Sequence, residues 1–142
     1  MYVKQISVSL ENAPGELAEV SEYLGAEGVN IRAISVADTS DISTVRFVAD
    51  DPEKAANVLK SHGYSVRKTE VIAVETPDHP GGLKAVLKPL REANINVLYL
   101  YPYLGRAADQ PIIVVGVDKT REALDTLKKN WVHTFGEEIY SL

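Results

Sequence analysis

The chain has 142 residues, with 15 Lys and Arg against 20 Asp and Glu, a net charge of −5, 45% hydrophobic residues and no cysteine. That describes one ordinary domain or two very small ones able to close a core. It excludes disulfides, thiolate metal sites and cysteine nucleophiles, and the acidic balance argues against a nucleic-acid partner. No apolar run approaches the ~20 residues of a membrane helix. The opening MYVKQISVSLENAPG lacks the basic start and apolar stretch of a signal peptide, so a soluble cytoplasmic protein is expected, with no membrane contact.

Residues 2–10 alternate, Val8 and Leu10 facing one way and Ser7 and Ser9 the other, which predicts a half-buried strand. Asn12-Ala13-Pro14-Gly15 punctuates it, and Pro14 suits a helix start because its missing N–H would have no partner there. Leu17, Val20 and Leu24 follow at helical spacing, with Glu16, Glu19 and Glu22 outside; Gly25 or Gly28 can stop the helix. Residues 30–37 and 43–49 read as strands around the turn Asp38-Thr39-Ser40-Asp41. Pro52 opens a second helix through Ala55, Ala56, Val58 and Leu59. Gly63 ends it, and Tyr64 to Lys68 returns as a strand. The second half reads alike. A strand over 70–76 precedes Pro80-Gly81 and a helix with Leu83, Val86, Leu87 and Leu90, in which Pro89 removes one hydrogen bond. Strands follow over 95–103 and 111–117, then a helix with Ala123, Leu124 and Leu127 and a last strand near Glu138 to Tyr140.

The halves are a repeat. With the sequence displaced by 66 residues, Ile6, Val8, Pro14, Gly15, Leu17, Val20, Leu24, Asn30 and Ile31 meet Ile72, Val74, Pro80, Gly81, Leu83, Val86, Leu90, Asn96 and Val97 without a gap. Two copies are too few for a solenoid. The expectation is an α+β chain of two ferredoxin-like βαββαβ domains, about 1–70 and 71–142, each with an antiparallel sheet and its helices on one face. Domains of ~70 residues are marginal alone, and the short link at Thr69 predicts that they touch.

The turn Glu11-Asn12-Ala13-Pro14-Gly15-Glu16-Leu17 with Gly28-Val29-Asn30-Ile31 resembles the ACT domain. So does Pro77-Asp78-His79-Pro80-Gly81-Gly82-Leu83 with Asn94-Ile95-Asn96-Val97, although Asn94 stands where the first half has Gly28. One copy lies in each half, so the resemblance covers essentially the whole chain. It implies a regulatory module that binds amino acids between two domain copies, here without an attached catalytic domain. It also implies a homodimer that signals to an enzyme partner in trans. Ligand contacts would fall on Asn12, Ala13, Pro14, Gly15, Glu16 and Leu17 with Asn30 and Ile31. In the second half they would fall on Asp78, His79, Pro80, Gly81, Gly82 and Leu83 with Asn96 and Val97.

Physical chemistry fits this reading. A helix N-terminus suits a carboxylate, and Gly15 and Gly81 allow close approach to the backbone. Asn12 and Asp78 offer acceptors to an ammonium, as do Asn30 and Asn96 from a neighbouring domain. Gly15→Val or Gly81→Val is then expected to weaken binding and leave the fold largely intact. Simpler readings stand beside these: the turns only start helices, Asn12 and Asp78 only cap them, and the asparagines only satisfy turns. Glu16 faces Gly82 across the repeat, and Asn12 faces Asp78, so the two loops need not be equivalent.

Tyr99, Tyr101 and Tyr103 alternate on one strand and are read as sharing a face with Val97, for a pocket, a subunit contact or cross-strand packing. His62, His79 and His133 lack ligand spacing, so neither a metal nor a cofactor is expected; His79, within the second turn, would make binding pH-sensitive. No Ser–His–acid set, carboxylate pair or Arg-bearing phosphate loop is legible, which argues against an enzyme. The alternative to a sensor is a ligand-free interaction module, an orphan regulatory subunit of an amino-acid biosynthetic enzyme.

Overall fold

The computed structural model describes residues 2–104 and 110–142. Its elements run β1 (Val3–Glu11), α1 (Glu16–Ala26), β2 (Ile31–Asp38), β3 (Ile42–Ala49), α2 (Pro52–Ser61), β4 (Val66–Glu75), α3 (Lys84–Glu92), β5 (Val97–Pro102), β6 (Ile112–Val117), α4 (Thr120–Lys129) and β7 (Thr134–Phe135). A 3₁₀ segment, Glu137–Ser141, closes the chain. Two compact units result, Lys4–Thr69 and Met1–Val3 with Glu70–Leu142.

In the first unit β1 and β2 flank β3, both antiparallel to it, with Ile6 opposite Phe47 and Val8 opposite Val45. Cross-strand partners share a face, so Ile6, Val8, Leu10, Val45, Phe47 and Ala49 form one apolar layer. Val20 and Leu24 of α1 and Ala55, Ala56 and Leu59 of α2 close over it. Asp51 caps α2 by accepting from the Lys54 N–H, with Pro52 in the first turn. Leu17 does not join this core; it is 41% exposed at the start of α1.

The second unit repeats the plan: β6 lies between β4 and β5, and β7 pairs with β4, all antiparallel. Ile72, Val74, Ile113 and Val115 pack under Val86, Leu90, Ala123, Leu124 and Leu127. Each unit is a ferredoxin-like α+β fold with its helices on one face of an antiparallel sheet. No helix among the described residues is long and apolar enough to cross a membrane.

Three local expectations change. The strands read as 64–68 and 70–76 are one strand, β4, because Val66 to Glu75 holds no Gly or Pro to break it; Thr69 is a strand residue and not a linker. The last strand falls at Thr134–Phe135, and residues 138–140 lie in the 3₁₀ segment, with Ile139 buried and the Tyr103 hydroxyl donating to the Ile139 and Leu142 carbonyls. A bulge between Val97 and Tyr99 reverses the faces. Val97 stays with the helix-side core, whereas Tyr99 lies on the other face, its ring over Gly116 where a Cβ would come within 2.3 Å of it.

Candidate functional site

The first turn, Ala13-Pro14-Gly15-Glu16, is type II. Gly15 has φ 86°, which the third position demands, and the Glu16 N–H donates to the Ala13 carbonyl at 3.4 Å. Pro14 therefore sits in the turn, two residues before α1. The Asn12 side chain does not cap the helix. Its Nδ2 donates to the Thr39 carbonyl at 3.3 Å and its backbone N–H to the Asp41 carbonyl, so the turn is tied to the β2–β3 hairpin with Oδ1 left to accept. Glu19 donates its N–H to the Gly15 carbonyl, but the N–H groups of Leu17 and Ala18 meet no acceptor among the described residues. Two open amides at a helix N-terminus, half-buried Glu16 and the exposed side chain of Leu17 share this place.

The second turn, His79-Pro80-Gly81-Gly82, has the same form, with Gly81 at φ 82° and the Gly82 N–H donating to the His79 carbonyl at 2.8 Å. Beyond it the hydrogen bonding departs from that of the first half. Lys84, Ala85 and Val86 donate to Gly81, Gly82 and Leu83, a tight 3₁₀ turn in which Lys84 is bonded where its counterpart Ala18 is open, while the Leu83 N–H, like that of Leu17, meets no acceptor among the described residues. Gly82 makes this possible, since a Cβ there would lie 2.0 Å from the Pro77 carbonyl oxygen. The Asp78 N–H donates to Gln110 Oε1, His79 Nδ1 lies 3.0 Å from the Pro80 carbonyl, and Leu83 is 41% exposed like Leu17. The Thr76 hydroxyl is buried with no partner among the described residues, where the first half has Leu10.

Gly15 and Gly81 have open space where a Cβ would stand, but both have left-handed backbones. Valine there strains the turn itself, contrary to the expectation of an intact fold, at a cost of about 1–2 kcal/mol.

The strand-entry asparagines work through their backbones. The Asn30 N–H donates to Asp50 Oδ1 and the Asn30 carbonyl accepts from the Asp50 N–H; Asn96 and Asp118 repeat the pair. Ile31 and Val97 pack against the two cores. Asn30 lies beyond the C-terminus of α1 and the Pro14-Gly15 turn at its N-terminus. One unit therefore does not bring these two groups of candidates together.

The family model of the ACT domain pair matches residues 1–139. The chain belongs to the ACT domain pair family. Protein BT0572 from Bacteroides thetaiotaomicron is 30% identical, with a TM-score of 0.91 over 100% of this chain and 98% of that one. The regulatory subunits of aspartate kinase from Thermus thermophilus (ligand-free form) and Thermus flavus share 13% and 15% identity. Their TM-scores are 0.64 and 0.61, over 90% of this chain and 92% of each subunit, a likeness of fold. No curated protein matches the chain.

The ACT pair also carries polar groups that sequence reading passed over. In the second unit a cavity of about 380 Å³ is lined by Glu75, Pro77, Ala85, Val86, Gln110, Asn130, Trp131, Val132 and His133. Its lining includes a hydrogen-bonded pair, His133 Nδ1 and Glu75 Oε2 at 3.0 Å. These partners lie 58 residues apart, so no local motif announces them. No group of three or more His, Asp or Glu able to hold a metal occurs among the described residues.

Proposed function

We propose that this ACT pair is a non-catalytic cytoplasmic regulator, a homodimer that binds a small amino acid at the first turn and signals to an enzyme partner in trans. The observation that carries the reading is the pair of open amides, Leu17 and Ala18, beside the fixed Asn12 amide. The ligand carboxylate takes the two N–H groups at the positive end of α1. Its ammonium takes Asn12 Oδ1 and Glu16, and its side chain lies against Leu17. Asn30 and Ile31 contribute from a neighbouring domain copy, since within one unit they stand at the far end of α1. The ligand shifts how copies pair only by preferring one arrangement. The likeness in fold to regulatory subunits of aspartate kinase supports a regulatory role.

The second turn favours the other reading for its own half. With only the Leu83 N–H open in place of an adjacent pair, the Asp78–Leu83 segment suits a protein contact better than an amino acid. The test is a thermal-shift and calorimetric screen of the standard amino acids against wild type and Ala18→Asp. A ligand at about a hundredfold excess over its Kd stabilises by ~2.7 kcal/mol. Aspartate in the first turn complements the helix dipole by about 0.3–1 kcal/mol but occupies the carboxylate's place. Ala18→Asp is therefore expected to hold or raise stability while affinity falls about tenfold or more, ~1.4 kcal/mol. Unchanged affinity removes the site from this turn; no binding to wild type leaves the interaction module.

A further inference from the structure

The four α-helices of the described residues end the same way, on a left-handed residue one step past the cap. Gly28 has φ 75°, Gly63 88°, Asn94 58° and Trp131 61°. Glycine is favoured there and asparagine tolerated; a bulky aromatic is strained. Gly63 and Trp131 are true counterparts, for Tyr64 N–H bonds the Leu59 carbonyl just as Val132 N–H bonds that of Leu127. Strain of this kind is repaid where the side chain packs, but Trp131 is 94% exposed. Trp131 is among the residues that line the Glu75–His133 cavity.

The cavity has its own chemistry. Among the described residues its lining carries no Lys or Arg, and Glu75 is its acid, three-quarters buried with its side chain 25% exposed. The bond to this carboxylate places a proton on His133 Nδ1, which in the neutral ring leaves Nε2 to accept. Gln110 and Asn130 add amides. The first unit has Ser9 and Ser65 at the places of Glu75 and His133, and Gly63 at that of Trp131, so none of these groups is needed for the shared fold. A carboxylate, an acceptor nitrogen and an aromatic face around one cleft are complementary to an organic cation.

We propose that this cleft binds a small alkyl- or arylammonium ion, its N–H groups on Glu75 and His133 Nε2 and its body against the Trp131 indole. This site is separate from the Pro14-Gly15 turn and does not depend on it.

Trp131 is the single tryptophan of the chain, so intrinsic fluorescence reads this site alone. The full chain is titrated with 2-phenylethylammonium and n-butylammonium at constant ionic strength, against n-butanol and butyrate. The ammonium probes are expected to give a saturable emission change and the controls none. Glu75→Gln, which still accepts from His133, is expected to weaken binding about tenfold or more, because a charged hydrogen bond becomes neutral. Ala18→Asp is expected to leave it unchanged. Trp131→Gly, followed by calorimetry, is expected to lose it while melting cooperatively. Absence of a saturable change with either ammonium, an equal response to butyrate, or full affinity in Glu75→Gln overturns the proposal. So does emission that changes only on dilution of the chain alone, which would assign Trp131 to a contact between copies.

Discussion

Position 131 allows the strain of a left-handed aromatic to be measured against its packing. With 94% of the residue exposed, the indole hides roughly 10–15 Å² of its surface, about 0.3–0.4 kcal/mol at 25 cal/mol per Å². Trp131→Ala keeps the positive φ and removes the ring, so it should destabilise by no more than that. Trp131→Gly also relieves the backbone. The left-handed penalty of about 1–2 kcal/mol, less the 0.5–1 kcal/mol of extra freedom glycine loses on folding, leaves glycine more stable than alanine by about 0.5–1 kcal/mol. Urea denaturation of the three proteins, with an unchanged m-value, checks the order Gly above Trp, and Trp equal to or slightly above Ala. A loss above about 1 kcal/mol in Trp131→Ala would refute the argument. It would show that the indole packs in the folded chain and has no need of a ligand to explain it.

Thr76→Val removes a buried hydroxyl that has no partner among the described residues and is expected to raise stability by about 1 kcal/mol, read as a higher urea midpoint; a fall would mean that the hydroxyl is bonded. Glu53 accepts from Lys68 and Lys4, in that order of effect, which holds its carboxyl below the ordinary value of 4.5. A lowered folded pKa adds stability above the ordinary value and loses it as pH falls through the folded one. Melting of Glu53→Gln should therefore fall less steeply than wild type below about pH 4.5, and parallel curves would show that the exposed pair adds nothing.

The four helices and both Pro-Gly turns were legible because each rests on local chemistry: period-3.6 patterning, helix-opening prolines and turn glycines. The Tyr99–Val97 relation was not, because the bulge that separates them is set by pairing with β6. Leu17 and Leu83 fit the helical spacing of a core yet remain 41% exposed, one in the first turn of α1 and the other just before α3. The cavity residues stayed hidden for a different reason. From the start of β5 to the end of β6 the second half is two residues longer than the first is from β2 to β3, so the displacement of 66 becomes 68 beyond it. With that shift applied, Trp131 stands against Gly63 and the strain is visible in the sequence.

A single substitution decides which half keeps two adjacent open amides. Where the first turn has Glu16, the second has Gly82, and only glycine fits within reach of the Pro77 carbonyl. The close approach lets Lys84, Ala85 and Val86 bond to residues 81–83. Gly82→Ala must push the turn away from Pro77, an overpacking cost of about 1–3 kcal/mol, and it should release those amides. Hydrogen exchange tests each of these steps. In wild type Lys84 is expected to exchange more slowly than its counterpart Ala18, and in Gly82→Ala that protection is expected to fall toward the Ala18 rate. Equal exchange of the two turns in wild type would mean that their difference in hydrogen bonding does not persist in solution, and the case for placing the amino acid at the first turn alone would go with it.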